Sequence, residues 1–319
     1  MIQTAPIFIL SPAKRSGTNF VKNLLCRHRD CASPGPIWED DVLRHAHLLR
    51  QYARATYAQW NPDWSVPHRL APPHRFERYL GDAVLQLLLD QMDAVGPGRP
   101  GVPLRFVTKS PRIENLALFP DLFPDAFLLI VVRDGCRTAD SAKVSFGKPY
   151  DMAFREWARA MRRIEDFCSS PGFDPARHRV VRYEDLQRAD RAAICDLLHF
   201  LHLDPEAMDW DAVKALPVTG SSDLRRQGRA MDWTPRAKDA AFDGRDPLRD
   251  WSPFLRSHFA FFSGRAGAFC GYDAGTVARR WLPLHILRAA LWWPVFRAWR
   301  VTLNLRQDLR GLLSRAWVT

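Results

Sequence analysis

The sequence predicts an α/β fold, a parallel sheet flanked by helices, and three observations carry that reading. Short apolar runs bounded by turn residues recur along the chain, amphipathic stretches lie between them, and the first run passes through a Ser/Gly loop straight into such a stretch. Strands that alternate with helices pair in parallel, because a parallel partner needs a crossover and a helix supplies it. With 319 residues, 47% hydrophobic and 25% charged, the chain suffices for one large domain with its own core. A stapled mini-protein and a disordered chain are both excluded.

Ile7-Phe-Ile-Leu10 reads as a buried strand ending in turns at Ser11-Pro12 and Ser16-Gly17. Phe20, Val21, Leu24 and Leu25 then recur at helical spacing. Residues 46–103 change character, with Tyr52, Tyr57, Trp60 and Trp64, a Pro/His segment, a helix-like Tyr79 to Met92 and a Gly/Pro loop. This stretch reads as a helical insertion between the first two strands, a cap for an acceptor substrate. Further strands are expected at Leu104 to Val107, Phe127 to Val132 and Arg179 to Val181. Six cysteines, at 26, 31, 136, 168, 195 and 270, form no CxxC pair, which speaks for reduced thiols and against a zinc ribbon. The N-terminus lacks the cationic start and long apolar run of a signal peptide, so a cytoplasmic protein is expected.

The chemistry gathers on the loops. Ser11-Pro-Ala-Lys-Arg-Ser-Gly-Thr18 joins strand to helix, so backbone N–H groups and the helix N-terminus can face an anion, in a P-loop-like manner. Lys14, Arg15, Ser16, Thr18 and Asn19 add charge and donors. A nucleoside-triphosphatase loop would read GxxxxGK, but here Gly17 stands alone and the cations precede it. Phe127 to Val132 runs into Arg133, with Ser141 eight residues on. Two anion sites on neighbouring loops imply a ligand with two phosphate groups.

With these loops in that order, the chain resembles the sulfotransferases that use 3′-phosphoadenosine 5′-phosphosulfate (PAPS), in the bacterial and tyrosylprotein-type branch. Arg15-Ser-Gly-Thr18 resembles the family's 5′-phosphosulfate loop, and Arg133 with Ser141 resembles its 3′-phosphate motif. Val181-Arg-Tyr-Glu-Asp-Leu186 resembles its YEDL segment, which implies Tyr183 beside the adenine. Val218-Thr-Gly-Ser-Ser222 with Leu224-Arg-Arg-Gln-Gly228 resembles a late loop over the cofactor, offering Ser221, Arg225 and Arg226. Thr108-Lys109-Ser110-Pro111 resembles a Lys-x-Pro element. Pro111 stands where steroid and phenol enzymes carry their histidine base, so the base must come from elsewhere. Trp38-Glu-Asp-Asp41 follows the first helix as the family's glutamate base does. That implies Glu39, with Asp40 and Asp41 as competitors, or three acids that merely cap the helix starting at Val42.

The resemblance implies PAPS as cosubstrate, PAP as product and a hydroxyl or amine acceptor; no metal is expected, since Lys and Arg supply the positive charge, and attachment of the tail to a membrane would favour a carbohydrate or lipid-linked acceptor. Arg15 would stabilise the departing 5′-phosphate and Lys109 the sulfuryl oxygens. A P-loop kinase-like phosphotransferase and a non-catalytic PAP-binding or membrane adaptor stay open as alternatives.

Residues 1–278 form the expected sulfotransferase domain, and 279–319 a basic, Trp-rich helical tail. That tail holds eight Arg against one acid, Asp308, and so most of the formal charge of +11. The rest is mildly basic, and no nucleic-acid partner is expected. Arg and Pro interrupt the apolar stretch from Trp281 too often for a membrane span. The composition suits either peripheral attachment to an anionic membrane surface or packing on the domain or on an oligomer partner.

Overall fold

Four consecutive apolar residues can satisfy their backbone in a sheet covered on both faces. Ile7, Phe8, Ile9 and Leu10 do this as β1 (Ile7–Leu10), each at most 1% exposed. The computed structural model describes residues 5–35, 37–60, 72–93, 104–188, 190–217, 250–295 and 298. Its sheet contains β1, β2 (Cys31–Ala32), β3 (Arg105–Ser110), β4 (Phe127–Val132) and β5 (His178–Arg182), in the order β2-β3-β1-β4-β5. All pairings are parallel. The fold is therefore α/β, as the sequence predicts.

Register places the functional loops together. Leu10 lies opposite Ser110 of β3 and Ile130 of β4, and Val132 lies opposite Arg182 of β5. All four strands thus end at one edge. Side chains alternate between the two faces: Ile7, Ile9, Leu129 and Val131 join one core, and Phe8, Leu10, Leu128, Ile130 and Val132 join the other. The first core receives α1 (Thr18–Leu25), α8 (Arg191–Phe200) and α9 (Trp210–Lys214). The second receives α5 (Gly135–Phe146), α6 (Tyr150–Cys168) and α10 (Pro253–Ser263). The helices after β1 and β4 therefore leave to opposite faces, and a crevice opens between neighbouring strand ends, the usual ligand position in such sheets.

Three details differ from the sequence reading. β2 was not foreseen, so the strand at Arg105 is third in chain order. β3 runs on through Thr108, Lys109 and Ser110 instead of ending at Val107. The helix expected from Tyr79 begins earlier, as α3 (Pro73–Asp93). It packs with α2 (Ala46–Gln59) on α4 (Phe119–Leu122): Arg50 of α2 bonds Glu77 of α3 at 2.8 Å and also Asp121. Gly81 allows α3 to touch the α4 backbone, since an added Cβ would lie 1.9 Å from the Leu122 carbonyl oxygen.

After a 3-10 turn at Arg279–Trp281, the tail continues as α11, residues 282–295. This described part packs on the domain. Arg288 grips the buried Asp151 of α6 with contacts of 2.6–3.0 Å, and Arg155 donates to the Ala289 carbonyl at 2.7 Å.

Candidate active site

At the crevice the loop after β1 turns sharply. Arg15 has φ of 76° and Gly17 of 97°, a left-handed region that L side chains seldom adopt. Ser11 and Ser16 both donate to the Ala13 carbonyl, at 3.0 and 2.8 Å, and hold the turn closed. At Gly17 a Cβ would lie 2.1 Å from the Tyr183 ring. Glycine is thus required twice, for its φ and for the approach of Tyr183. α1 begins with no side-chain cap and no acid in its first turn, leaving its positive end free for an anion.

The turn sends Lys14 and Arg15 to different partners. Arg15 Nε donates to Ser141 Oγ at 3.0 Å, while its carbonyl accepts from Arg133 Nη1 at 2.9 Å. The β1 and β4 loops, separate in sequence, are joined here. The Arg133 guanidinium lies 4.8 Å from the centre of the Tyr183 ring, which Phe20 meets edge-on at 5.7 Å. Tyr183 opens α7 (Tyr183–Gln187) directly after β5, so its strand-end position and helix-start role hold together.

Lys14 instead lies 4.0 Å from Glu39, and Lys109 Nζ donates to the other Glu39 oxygen at 3.1 Å. Lys109 is buried, and desolvation lowers its pKa while Glu39 pulls it back up. The acids at 39–41 pair residue for residue with the end of β3. Thr108 donates to Asp40 at 2.7 Å, Ser110 to Asp41 at 2.9 Å, and Asp40 N to the Lys109 carbonyl at 3.2 Å. Asp40 also accepts from Val42 N at 3.0 Å, and burial raises its pKa. Asp41 lies 3.4 Å from Arg112 and 3.7 Å from Arg44. Of the three acids, Glu39 is the one ion-paired with the crevice lysines, while Asp40 accepts from Val42 N at the start of the turn at Val42–His45.

Several supporting residues were not foreseen. Trp38 lies under two cations, Lys22 at 5.1 Å and Lys109 at 5.3 Å. Trp157 donates to the Arg133 carbonyl at 3.1 Å. Glu184 accepts from Asp134 N at 3.0 Å and from the Tyr272 hydroxyl at 2.6 Å. Burial, then Glu184, pushes the Tyr272 pKa far up, so it stays a donor. The Glu of the YEDL segment was the one available signal for this brace. Ser221, Arg225 and Arg226 lie outside the described residues.

A family model described as "Sulfotransferase family" matches residues 6–207, well over half of the chain, including the loops after β1, β3, β4 and β5. The chain belongs to the sulfotransferase family. Among solved structures, this sulfotransferase is similar to the sulfotransferase domain of the Synechococcus PCC 7002 olefin synthase: 20% identity, 85% of this chain and 97% of the other covered, TM-score 0.46. The sulfotransferase domain from the curacin biosynthetic pathway gives 17%, 86%, 99% and 0.48. Mouse sulfotransferase SULT7A1, solved with PAP, gives 10%, 84%, 87% and 0.42. No curated protein matches the chain.

Two buried atoms test whether the site suits the family's nucleotide. Arg133 Nε, a donor, and Asn19 Oδ1, an acceptor, have no hydrogen-bond partner among the described residues. A phosphate oxygen suits the first, and an amino or hydroxyl group the second. The sulfotransferase has no gathering of three or more His, Cys, Asp or Glu able to hold a metal ion among its described residues. No helix among them is long and apolar enough to cross a membrane.

Proposed function

We propose that the protein transfers the sulfuryl group of PAPS to a hydroxyl or amine acceptor. One observation carries this reading: the β1 and β4 loops meet through Arg15, Ser141 and Arg133, with the Lys109–Glu39 pair beside them. PAPS supplies an activated sulfuryl group on a phosphate leaving group. Arg133, Ser141 and Asn19 would hold its nucleotide end, with Tyr183 beside the base. Arg15, Ser16, Thr18 and the start of α1 would hold the 5′ end.

Sulfuryl transfer asks for alignment and for positive charge where oxygens gain negative charge. Lys14 and Lys109 converge on one carboxylate, so anionic oxygens entering the crevice compete with Glu39 for both. A carboxylate relieved of its cations is a stronger base. Glu39 then accepts the acceptor's proton, and Lys109 and Arg15 stabilise the charge that develops. The kinase-like alternative loses ground, because the chain belongs to the sulfotransferase family and its loop lacks the GxxxxGK lysine position.

Glu39→Gln separates binding from chemistry. The variant should keep PAP affinity by calorimetry and lose sulfate transfer by about 10² or more, the scale of general-base help. Full transfer in that variant would remove Glu39 from the mechanism, and absence of PAP binding by the wild type would remove the donor.

A further inference from the structure

A cavity of about 420 Å³ lies between the β1 loop and helices α5, α6 and α11, a size that suits a small-molecule body. Ala139, Ala142, Phe146 and Met152 form much of its wall, and Trp292 and Val295 of α11 complete it. Two further wall residues, Lys148 and Glu156, bond each other, so their charges cancel. Lys14 also lines the cavity and stands 4.0 Å from Glu39, which ties this apolar space to the reacting end of the crevice. Thr138 lines it too, with a buried Oγ1 that has no partner among the described residues. An apolar body with a polar group at one end fits such a wall.

α11 has its polarity reversed. Within 282–295 the charged residue is Arg288, and with His285 it turns inward to Asp151, His258 and Ser257. Leu284, Leu287 and Leu291, three and four residues apart, are 51%, 57% and 64% exposed. A helix that faces water carries the opposite pattern. An apolar outer face beside Arg279 and Arg280, in a tail of eight Arg and one acid, matches a helix lying in an anionic lipid interface.

We propose that the acceptor is a hydroxyl-bearing lipid, taken from an anionic membrane surface on which α11 rests and held by its apolar body in the cavity under Trp292 and Val295. This rests on the sulfotransferase reading above. The lipid hydroxyl oxygen bonds to sulfur, its proton passes to Glu39, and the bond from sulfur to the 5′-phosphate oxygen breaks, leaving PAP.

The test uses full-length protein, radiolabelled PAPS, and vesicles of phosphatidylglycerol and phosphatidylcholine carrying dioleoylglycerol, with glucose as the water-soluble competitor. Label should enter the lipid, and the protein should sediment with the vesicles. Ala142→Trp, which fills the cavity, should cut lipid sulfation about tenfold or more with PAP affinity kept. Trp292→Ala should raise the lipid KM with little change in kcat, which keeps the test open if Ala142→Trp fails to fold. Leu287→Glu with Leu291→Glu should abolish sedimentation and leave PAP binding intact. Transfer to glucose that equals transfer to lipid, or cavity variants that sulfate lipid normally, would overturn the proposal. Calorimetric binding of 1-decanol needs no donor, so it tests the cavity even if PAP fails to bind. Decanol binding lost in Ala142→Trp supports the proposal, and no binding by the wild type sinks it.

Discussion

Two clusters of polar groups, one at the crevice and one under the tail, are built to opposite rules. At the crevice, Lys14 and Lys109 share one carboxylate, and Arg133 is met by a backbone carbonyl and a ring. Under the tail, Asp151 is saturated: His258 donates to it at 2.8 Å and Arg288 grips both oxygens. Its pKa falls far below the usual carboxylate range, burial being outweighed by these bonds. An excess of cations awaits an anion from outside, whereas a closed set of partners holds structure together. Under the proposed function, the difference separates a reaction site from a joint.

Lys109→Ala should give the largest effect and tests the first half of this contrast. Loss of one preorganised cation aimed at developing charge costs about 3 kcal/mol in the barrier, about a hundredfold in rate. Sulfate-transfer kinetics with a parallel thermal melt check it. A variant with normal turnover and a lowered melting point would make the crevice a joint as well.

Asp151→Asn should show the converse, with stability reduced and PAP affinity unchanged. Removing one partner of a buried pair typically costs about 3–5 kcal/mol. The Arg288 side chain is 43% exposed, so water screens part of the loss and about 2 kcal/mol is expected. Denaturant unfolding and PAP calorimetry on the same variant decide it; weakened PAP binding would couple the two regions.

The crevice was largely legible in the sequence because its parts are local. Ile7–Leu10 and Phe127–Val132 are unbroken apolar runs, and each delivers its loop directly. Lys109 was legible as a residue but not as part of a strand. The segment Thr108 to Ser110 reads as polar, and only its pairing with residues 39–41 makes it buryable. β2 has two residues and no periodicity; it exists because Cys31 and Ala32 find Arg105 and Phe106. The joint was invisible, since Asp151, His258, His285 and Arg288 come from three distant helices and none stands in a motif.

The smallest expected effect is a pH dependence of the joint, and it follows from counting its protons. A neutral His258 that donates Nε2–H to Asp151 accepts at Nδ1 from His285 Nδ1–H, 3.0 Å away. The Ser257 hydroxyl then donates to His285 Nε2 at 2.9 Å and accepts from Ala278 N, also at 2.9 Å. Every proton is used once with His285 neutral. A second proton on His285 turns Ser257 from donor to acceptor and adds charge beside Arg288. Burial, with the charge of Arg288 adding to it, lowers the His285 pKa. In the unfolded chain the imidazole titrates near about 6.5, so on acidification the unfolded state takes up the proton first. The stability contributed by His285 is complete above that pH and is lost as pH falls below it. Asp151 keeps its own contribution until far more acid conditions, because its folded pKa is depressed. Burial also lowers the His178 pKa, which acts in the same window. Thermal melts of wild type and His285→Gln from about pH 5 to 8 therefore isolate the joint by difference. The wild type should lose stability more steeply below about pH 6.5, and parallel profiles would show that the joint does not titrate.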